Sequence, residues 1–410
     1  MTVPTSTDDE FIAVWKKTGG SASKTAQLLK TNVRNVYARR RNIEARTGEK
    51  LNGSGGAAVA YDVGPETEEL RAKVRELEAA LKTQKKDGLD EEYVKTKILK
   101  LAEQKPTLPG WMIKPGSAPN SPGVPVMMWS DWHWGEVVDA SQIGGVNAYD
   151  MTIARQRAKR LVENTIDLLM NHMVNPSYPG VVINLGGDMV SGDIHEELTA
   201  TNEAEMMPVI LDLYGVLIEC LTIMADTFGN VFVPCVGGNH GRNTHKIRSK
   251  GRNFTSFDWL LYCFLAKHFE KDNRVRFLIP NGPDALYSVY GHKYLLTHGD
   301  QFRGGDGVIG ALGPIIRGDH RKRSRNGQIN MHYDTMILGH WHQLIQLQRL
   351  IVNGSLKGYD EFAYSNSFGY EVARQALWIT HPNHGITFSM PVNVAGKGEI
   401  RDASWVSWQV

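Results

Sequence analysis

Five short polar motifs, each standing just after an apolar run, constrain this chain more than anything else in it. They are Asp131-Trp132-His133, Gly187-Asp188, Gly238-Asn239-His240, Thr297-His298-Gly299-Asp300 and Gly339-His340-Trp341-His342. The runs before them are Val124 to Trp129, Val181 to Leu185, Val231 to Val236, Tyr294 to Leu296 and Thr335 to Leu338, short and apolar as buried strands are. In an open α/β sheet, ligands bind beyond the carboxyl ends of the strands. Five strand ends that each present Asp, Asn or His therefore predict one shared site. Carboxylate, amide and imidazole donors in this mixture suit Mn, Fe, Zn or Ni rather than Ca.

The surrounding pattern fits such a sheet. Helices are expected over about 150–173, 203–228 and 254–269, alternating with the first three runs, which argues a layered α/β fold. After Pro283 strands dominate, at 286–290, 293–297, 335–338 and 345–352.

In this order the motifs D-x-H, G-D, G-N-H, H and G-H-x-H resemble those of the calcineurin-like metallophosphoesterases, whose DNA-cleaving branch includes the Mre11/SbcD-type nucleases. The resemblance spans residues 124–358. It implies a four-layer α/β/β/α sandwich and a centre of two divalent ions, manganese first, with iron, zinc, nickel or magnesium as the other choices. Carried over residue by residue, Asp131, His133 and His342 hold one ion, Asn239, His298 and His340 hold the other, and Asp188 bridges both. A bridging ligand must offer two oxygens to two cations, so a carboxylate belongs at 188. Two such ions ~3.5–4 Å apart clamp a phosphate ester together with a bridging hydroxide. His240 is left off the metals and serves catalysis beside Asp188, as general acid or as stabiliser of the charged transition state. Asp193 and Asp300 are expected to orient ligand histidines.

Two departures from the family pattern stand out. Gly241 follows Asn239-His240 where many members carry a carboxylate. The Asp-Arg-Gly of Ser/Thr protein phosphatases is missing after Gly187-Asp188, which argues against a protein phosphatase.

Residues 1–50 read as a separate unit. Phe11, Ile12, Val14 and Trp15 mark a first helix ended by Gly19-Gly20, and Ser21 or Ser23 caps a second. A third starts near Val33, with Val36 and Tyr37 inward and Arg34, Arg39, Arg40, Arg41 and Arg46 outward. The pattern looks like a helix-turn-helix of the homeodomain-like kind, with Lys30 where the turn often has Gly. Ten Lys/Arg against five Asp/Glu in these residues suit phosphate contact, in a chain whose net charge is only +2. The other reading is a small bundle for protein contact with solvated arginines. Two further basic segments, read as loops, with Arg242, Lys246 and Arg248 in one and Arg321, Lys322 and Arg323 in the other, add candidate DNA contacts. Trp132, Trp134 and Trp341 could stack on bases or simply pack around the site.

Residues 51–123 form the expected linker. It has a Gly/Ser/Ala-rich start, a two-heptad seam of Leu70, Val74, Leu77 and Leu81, a helix over 91–104, and a proline-rich leader. The 66–85 helix makes a homodimer one expectation and packing on its own catalytic domain the other. Residues 359–410 are expected to add a cap or edge hairpin with its turn at Pro382 to Gly385. This ending resembles that of phosphoesterases encoded by phages and prophages. Three cysteines in apolar segments, an N-terminus without the marks of a signal peptide, and no run of about 18 apolar residues point to a cytoplasmic protein of a bacterium or phage-infected host, away from membranes.

Three functions follow as expectations. The first is DNA phosphodiester hydrolysis by a two-metal mechanism, with any ATPase partner on a separate chain. The second is a small-substrate phosphatase or cyclic-nucleotide phosphodiesterase. The third is a DNA-binding regulator or packaging factor built on a phosphoesterase scaffold.

Overall fold

The computed structural model describes residues 7–51, 108–113, 123–304 and 310–396. The expected seam at 66–85 and the helix over 91–104 lie outside the described residues. The described residues fall in two compact units, one within 1–89 and one within 90–410.

The first unit has three helices. Thr7 and Glu10 form a reciprocal capping box that opens α1 (Asp8–Lys17). Ser21 caps α2 (Ala22–Leu28), and Asn32 caps α3 (Val33–Thr47), which ends at Gly48 in the left-handed region. Phe11 and Trp15 stack at 6.2 Å and share a core with Ala22, Ala26, Val36, Ile43 and Leu51. Lys30 does take the left-handed conformation of the turn, at φ 48. Tyr37, expected inward, is 49% exposed. Val36 and Ile43 are seven residues apart and occupy one stripe, and position 37 lies about 100° round the helix from it.

The second unit contains two mixed sheets. The first runs β11-β10-β1-β2-β3-β4, and the second β5-β6-β7-β9-β8. In the first, β1 (Val124–Trp129), β2 (Val181–Leu185), β3 (Val231–Pro234) and β4 (Val275–Leu278) are mutually parallel. In the second, β6 (His292–Thr297), β7 (Thr335–Leu338) and β9 (Leu350–Val352) are parallel, flanked by antiparallel β5 (Asp284–Val289) and β8 (Ile345–Leu347). The segment 345–352, expected as one strand, is thus a hairpin turning at Gln348-Arg349.

Alternation along β1 explains why it is apolar throughout. Met127 and Trp129 belong to a core shared with α5 (Met151–Met170), α7 (Met206–Phe228) and α8 (Phe257–His268). Val124, Val126 and Met128 belong to a second core that includes Tyr287, Leu296, Ile337 and Ile351 of the other sheet. A third core holds Leu295, Met336 and Leu338 with Phe302 and Ile315 of α9 (Leu312–Gln328). Met112 of the short α4 (Gly110–Ile113) docks into the second core, inside what was expected to be an extended leader.

Two sequence expectations change here. The basic segment around Arg321 is the helix α9, not a loop, and Gly318 on it packs directly on Phe302, whose ring carbons lie within 2.4–2.6 Å of where a Cβ would stand. The helix α7 is long and apolar enough, by length and composition, to cross a membrane (mean hydropathy 1.8), contrary to the expectation that no such run exists. It packs Leu213, Leu217 and Leu221 into the first core. The C-terminal hairpin is β10 (Arg374–His381) and β11 (Gly385–Asn393), with β11 at the edge of the first sheet and β10 paired with β1 on one side and β11 on the other. All three cysteines are buried.

Candidate metal centre

Every one of the five motifs leaves the carboxyl end of a parallel strand: β1, β2 and β3 in one sheet, β6 and β7 in the other. The first two exits are laced by backbone hydrogen bonds, from Asp131 N to Gly187 O and from His133 N to Asp188 O, both 3.0 Å. Asp131, His133, Asp188, His340 and His342 all have φ between 47 and 69, a region that non-glycine residues rarely occupy. Close approach is secured by glycine: a Cβ at Gly238 would lie 2.1 Å from Asp188 Oδ1.

The side chains meet. His133 Nε2 lies 3.0 Å from His342 Nε2, and His342 Nε2 lies 3.4 Å from Asp131 Oδ1. His298 Nε2 lies 2.9 Å from Asp188 Oδ2 and 3.2 Å from Asn239 Oδ1. Three overlapping groups, Asp131/His133/His342, His133/Asp188/His240 and Asp188/His298/His340, each keep their ligand atoms within 4.8 Å of one another. All seven ligand-type residues singled out in the sequence converge, and the geometry adds His240 to one group.

Partners fix the orientation of these groups. His298 Nδ1 is 2.9 Å from Gly186 O, and His240 Nδ1 is 2.8 Å from Ser191 O, so each ring donates there and turns Nε2 to the site. His133 Nδ1 lies 3.1 Å from Glu136 Oε2, at an angle that leaves both atoms without a formed hydrogen bond. Asp300 does not orient a histidine. It accepts from Arg252 at 2.9 Å, while Asp193 is exposed. The orienting work expected of these two carboxylates falls to backbone carbonyls, which a sequence motif does not reveal.

Electrostatics fit cation binding. Burial pushes His133 down to about 4, helped by Lys357 and His240. Burial also pushes His340 down to about 4, helped by His298, so both imidazoles are neutral and can ligate. Burial disfavours the charged forms of Asp188 and His298, but their mutual attraction wins. Asp188 is held well below the usual carboxylate range, and His298 is pushed up to about 10. A proton on His298 thus stands where a cation would neutralise Asp188. The donor set of carboxylate, amide and imidazole matches Mn, Fe, Zn or Ni.

Sequence reasoning missed Asp258, which sits inside the apolar segment that forms α8. Its buried carboxylate accepts from the backbone N–H of Asp188 (3.0 Å), Met189 (3.2 Å) and Gly238 (2.9 Å), tying the β2 and β3 exits together. Burial and the neighbouring Asp188 push it up to about 6. A Cβ at Gly241 would stand 2.8–2.9 Å from this carboxyl group. The Asp258 carboxyl group therefore fills the space that a side chain at position 241 would enter. Gln375 was also missed. It accepts from Ser130 N (3.0 Å) and donates to Gly354 O (2.7 Å), so the C-terminal hairpin braces the β1 exit.

Of the basic candidates, Arg34, Arg41, Lys246, Arg248 and Arg321 are exposed. Arg39 pairs with Asp8 at 3.0 Å, and Arg40 pairs with Glu44 at 2.9 Å. Arg242 donates to the carbonyls of Thr244 (2.8 Å) and Asn239 (3.0 Å). Lys322 is buried against Asp284 at 2.6 Å, and Arg323 stacks on Tyr333 while pairing with Asp319 at 2.8 Å. Burial thus removes Lys322 from any polyanion. Trp132 and Trp134 are fully buried, with Trp132 packed between Trp129 and Trp134, so they are not base-stacking surfaces.

No protein-family model and no curated protein matches the chain. Among solved structures, a conserved uncharacterised protein from Streptococcus pneumoniae, described as a predicted phosphoesterase, is similar over 65% of this chain and 96% of its own, at 10% identity and a TM-score of 0.26. Vps29 from Entamoeba histolytica, complexed with Zn²⁺, is similar over 66% of this chain and 100% of its own, at 11% identity and a TM-score of 0.27. A putative 5′-nucleotidase from Staphylococcus aureus is similar over 67% of this chain and 55% of its own, at 12% identity and a TM-score of 0.31.

Proposed function

We propose that this chain is a metal-dependent phosphoesterase of the calcineurin-like kind and that its substrate is DNA. The observation that carries the reading is the convergence of buried and part-buried ligand-type residues in three overlapping groups that share His133 and Asp188. The three stacked cores favour the four-layer α/β/β/α sandwich of that family. On this reading Asp131, His133 and His342 hold one divalent ion, Asn239, His298 and His340 the other, and Asp188 touches both, with manganese the first ion to try. Such a pair of ions supplies charge stabilisation for the phosphoryl oxygens and a water acidic enough to attack near neutral pH.

The chain's own residues do the rest. Asp258 holds the backbone of Asp188 and Gly238 so that Asp188 projects its carboxylate between the two ligand sets. His240, anchored through Nδ1 and through its backbone N–H to Asp188 Oδ1 at 2.7 Å, presents Nε2 to hold or deliver a proton at the leaving oxygen. The DNA reading is supported by the exposed basic side chains of α3, which would be the recognition helix of a helix-turn-helix, and by Lys246, Arg248 and Arg321.

The test is cleavage of single- and double-stranded DNA, linear and circular, with Mn²⁺ and with chelator, in the wild type and in Asp188→Asn. Metal-dependent cleavage is expected, falling at least about a hundredfold in the variant. Cleavage retained by Asp188→Asn would reject the centre. Turnover of a small aryl phosphodiester without cleavage of any DNA would reject the substrate and leave the phosphoesterase.

A further inference from the structure

Beside Asn239 lies a small cleft, open in part to solvent, whose enclosed part of about 10 Å³ has room for one phosphate oxygen and which the chemistry assigned above does not use. Asn239 is the one ligand-type residue in its wall, so the pocket adjoins the metal centre without coinciding with it. Three arginines, Arg242, Arg248 and Arg252, line it, and no carboxylate does.

Two of these arginines build the wall. Arg252 donates to Asp300 at 2.9 Å, in a pair whose carboxylate is buried, and reaches Gly238 O at 3.4 Å. Arg242 turns its guanidinium into its own loop, donating to the carbonyls of Thr244, Asn239 and His245. The base of the loop is closed by Asn243 N to Thr255 O at 2.8 Å and by Phe257 N to Gly241 O at 2.6 Å. Arg248 differs. It is exposed, and its guanidinium has no acceptor among the described residues. A planar guanidinium fork grips a phosphate through two parallel hydrogen bonds, and of the three arginines here Arg248 is the one whose fork is not already taken by Asp300 or by loop carbonyls.

We infer that this pocket takes the phosphate neighbouring the one at the metals, with Arg248 closing over it. The site would then select substrates that carry a second phosphate at backbone spacing, as a nucleic-acid strand does, over lone phosphate esters. The inference rests on the phosphoesterase reading of the adjoining centre, and its test is chosen to fail separately from that reading.

The full chain, loaded with Mn²⁺, is titrated calorimetrically with thymidine 3′,5′-bisphosphate and with thymidine 5′-monophosphate. Wild type, Arg248→Ala, Arg248→Glu and Arg248→Lys are compared. The bisphosphate is expected to bind the wild type roughly tenfold more tightly, as one charge-assisted contact allows. That ratio should fall toward one in Arg248→Ala, fall further in Arg248→Glu, and be kept in part by Arg248→Lys. A ratio near one in the wild type, or one that Arg248→Ala and Arg248→Glu leave unchanged, overturns the pocket. Turnover of bis-p-nitrophenyl phosphate by the same Mn²⁺-loaded wild type is followed in parallel. Its absence overturns the phosphoesterase reading, whereas the binding ratio reports on the pocket directly.

Discussion

Asp131, His133, Asp188, His340 and His342 sit on left-handed backbone, a conformation that costs a non-glycine residue about 1–3 kcal/mol and persists only where the surroundings impose it. Their side chains consequently leave the strand ends at angles an extended chain could not provide. Among the described residues, five of the nine non-glycine residues with positive φ belong to this one centre. The types of these residues were legible in the sequence, because Asp, Asn and His at strand ends have few other uses in such numbers. Their backbone conformation was not, since it arises from the lacing of β1 to β2 and from Asp258. Position 241 tests that account. Gly241→Asp would drive a second carboxylate against the buried Asp258, and a loss of about 3–5 kcal/mol is expected in urea unfolding. Gly241→Asp combined with Asp258→Gly should recover part of that loss, a coupling that a double-mutant cycle measures.

Ion pairs within and between elements decide which basic residues are available for binding. On α3, Arg39 and Arg46 both reach back to Asp8 of α1, and their hydrogen bonds hold the Asp8 carboxyl below its usual range. Arg39→Ala is therefore expected to lower the thermal midpoint. Arg41→Ala should leave that midpoint in place, weaken DNA binding and reduce the salt dependence of binding by about one phosphate contact. Anisotropy on labelled duplex DNA together with a melting scan separates the two. Between β9 and α10 (Glu361–Ser365), Lys357 is buried with Glu136 and Asp360. Burial opposes all three charges, yet Lys357 holds Glu136 well below the carboxylate range and is itself pushed up. In the wild type the Glu136 contribution is present above its ordinary 4.5 and is lost as acid protonates it. Lys357→Met strands two buried carboxylates and should cost about 3–5 kcal/mol near neutrality. Because unpaired buried carboxylates take up protons readily, moving from about pH 8 to about pH 5 should restore stability to the variant, while in the wild type the contribution of Glu136 and Lys357 stays in place over that interval. Denaturant midpoints at the two pH values give the slopes. The helix α9 and the β8–β9 hairpin were both misread from sequence. The helix packs Ile315 into the third core and Gly318 on Phe302, contacts that its run of basic residues does not announce.

At the scale of the molecule, the centre lies where the carboxyl ends of two sheets' parallel strands come together, so neither sheet alone holds a complete ligand set. A cation bridging them should stabilise the fold. At about 100 times its dissociation constant, Mn²⁺ is expected to add about 2.7 kcal/mol, seen as a rise in Tm that chelator reverses. Asp188→Asn should lose most of that rise. The residues at 345–393 complete both sheets, and Gln375 and Ser355 brace the β1 exit, with Ser355 Oγ donating to Asp131 O at 2.9 Å. What the sequence by itself determined was local: the apolar runs that must be buried strands, the helix starts at Ser21 and near Val33, and the residue types of the centre. Those follow from periodicity, capping and donor chemistry, which act over a few neighbours. Tertiary structure alone decided how those pieces combine. It paired β10 with β1, turned Lys322 inward and left Arg248 outward, and set Asp258 in the space of a side chain that position 241 lacks. Each of these depends on which distant residue shares a buried volume, and burial sets the cost of every unpaired charge there.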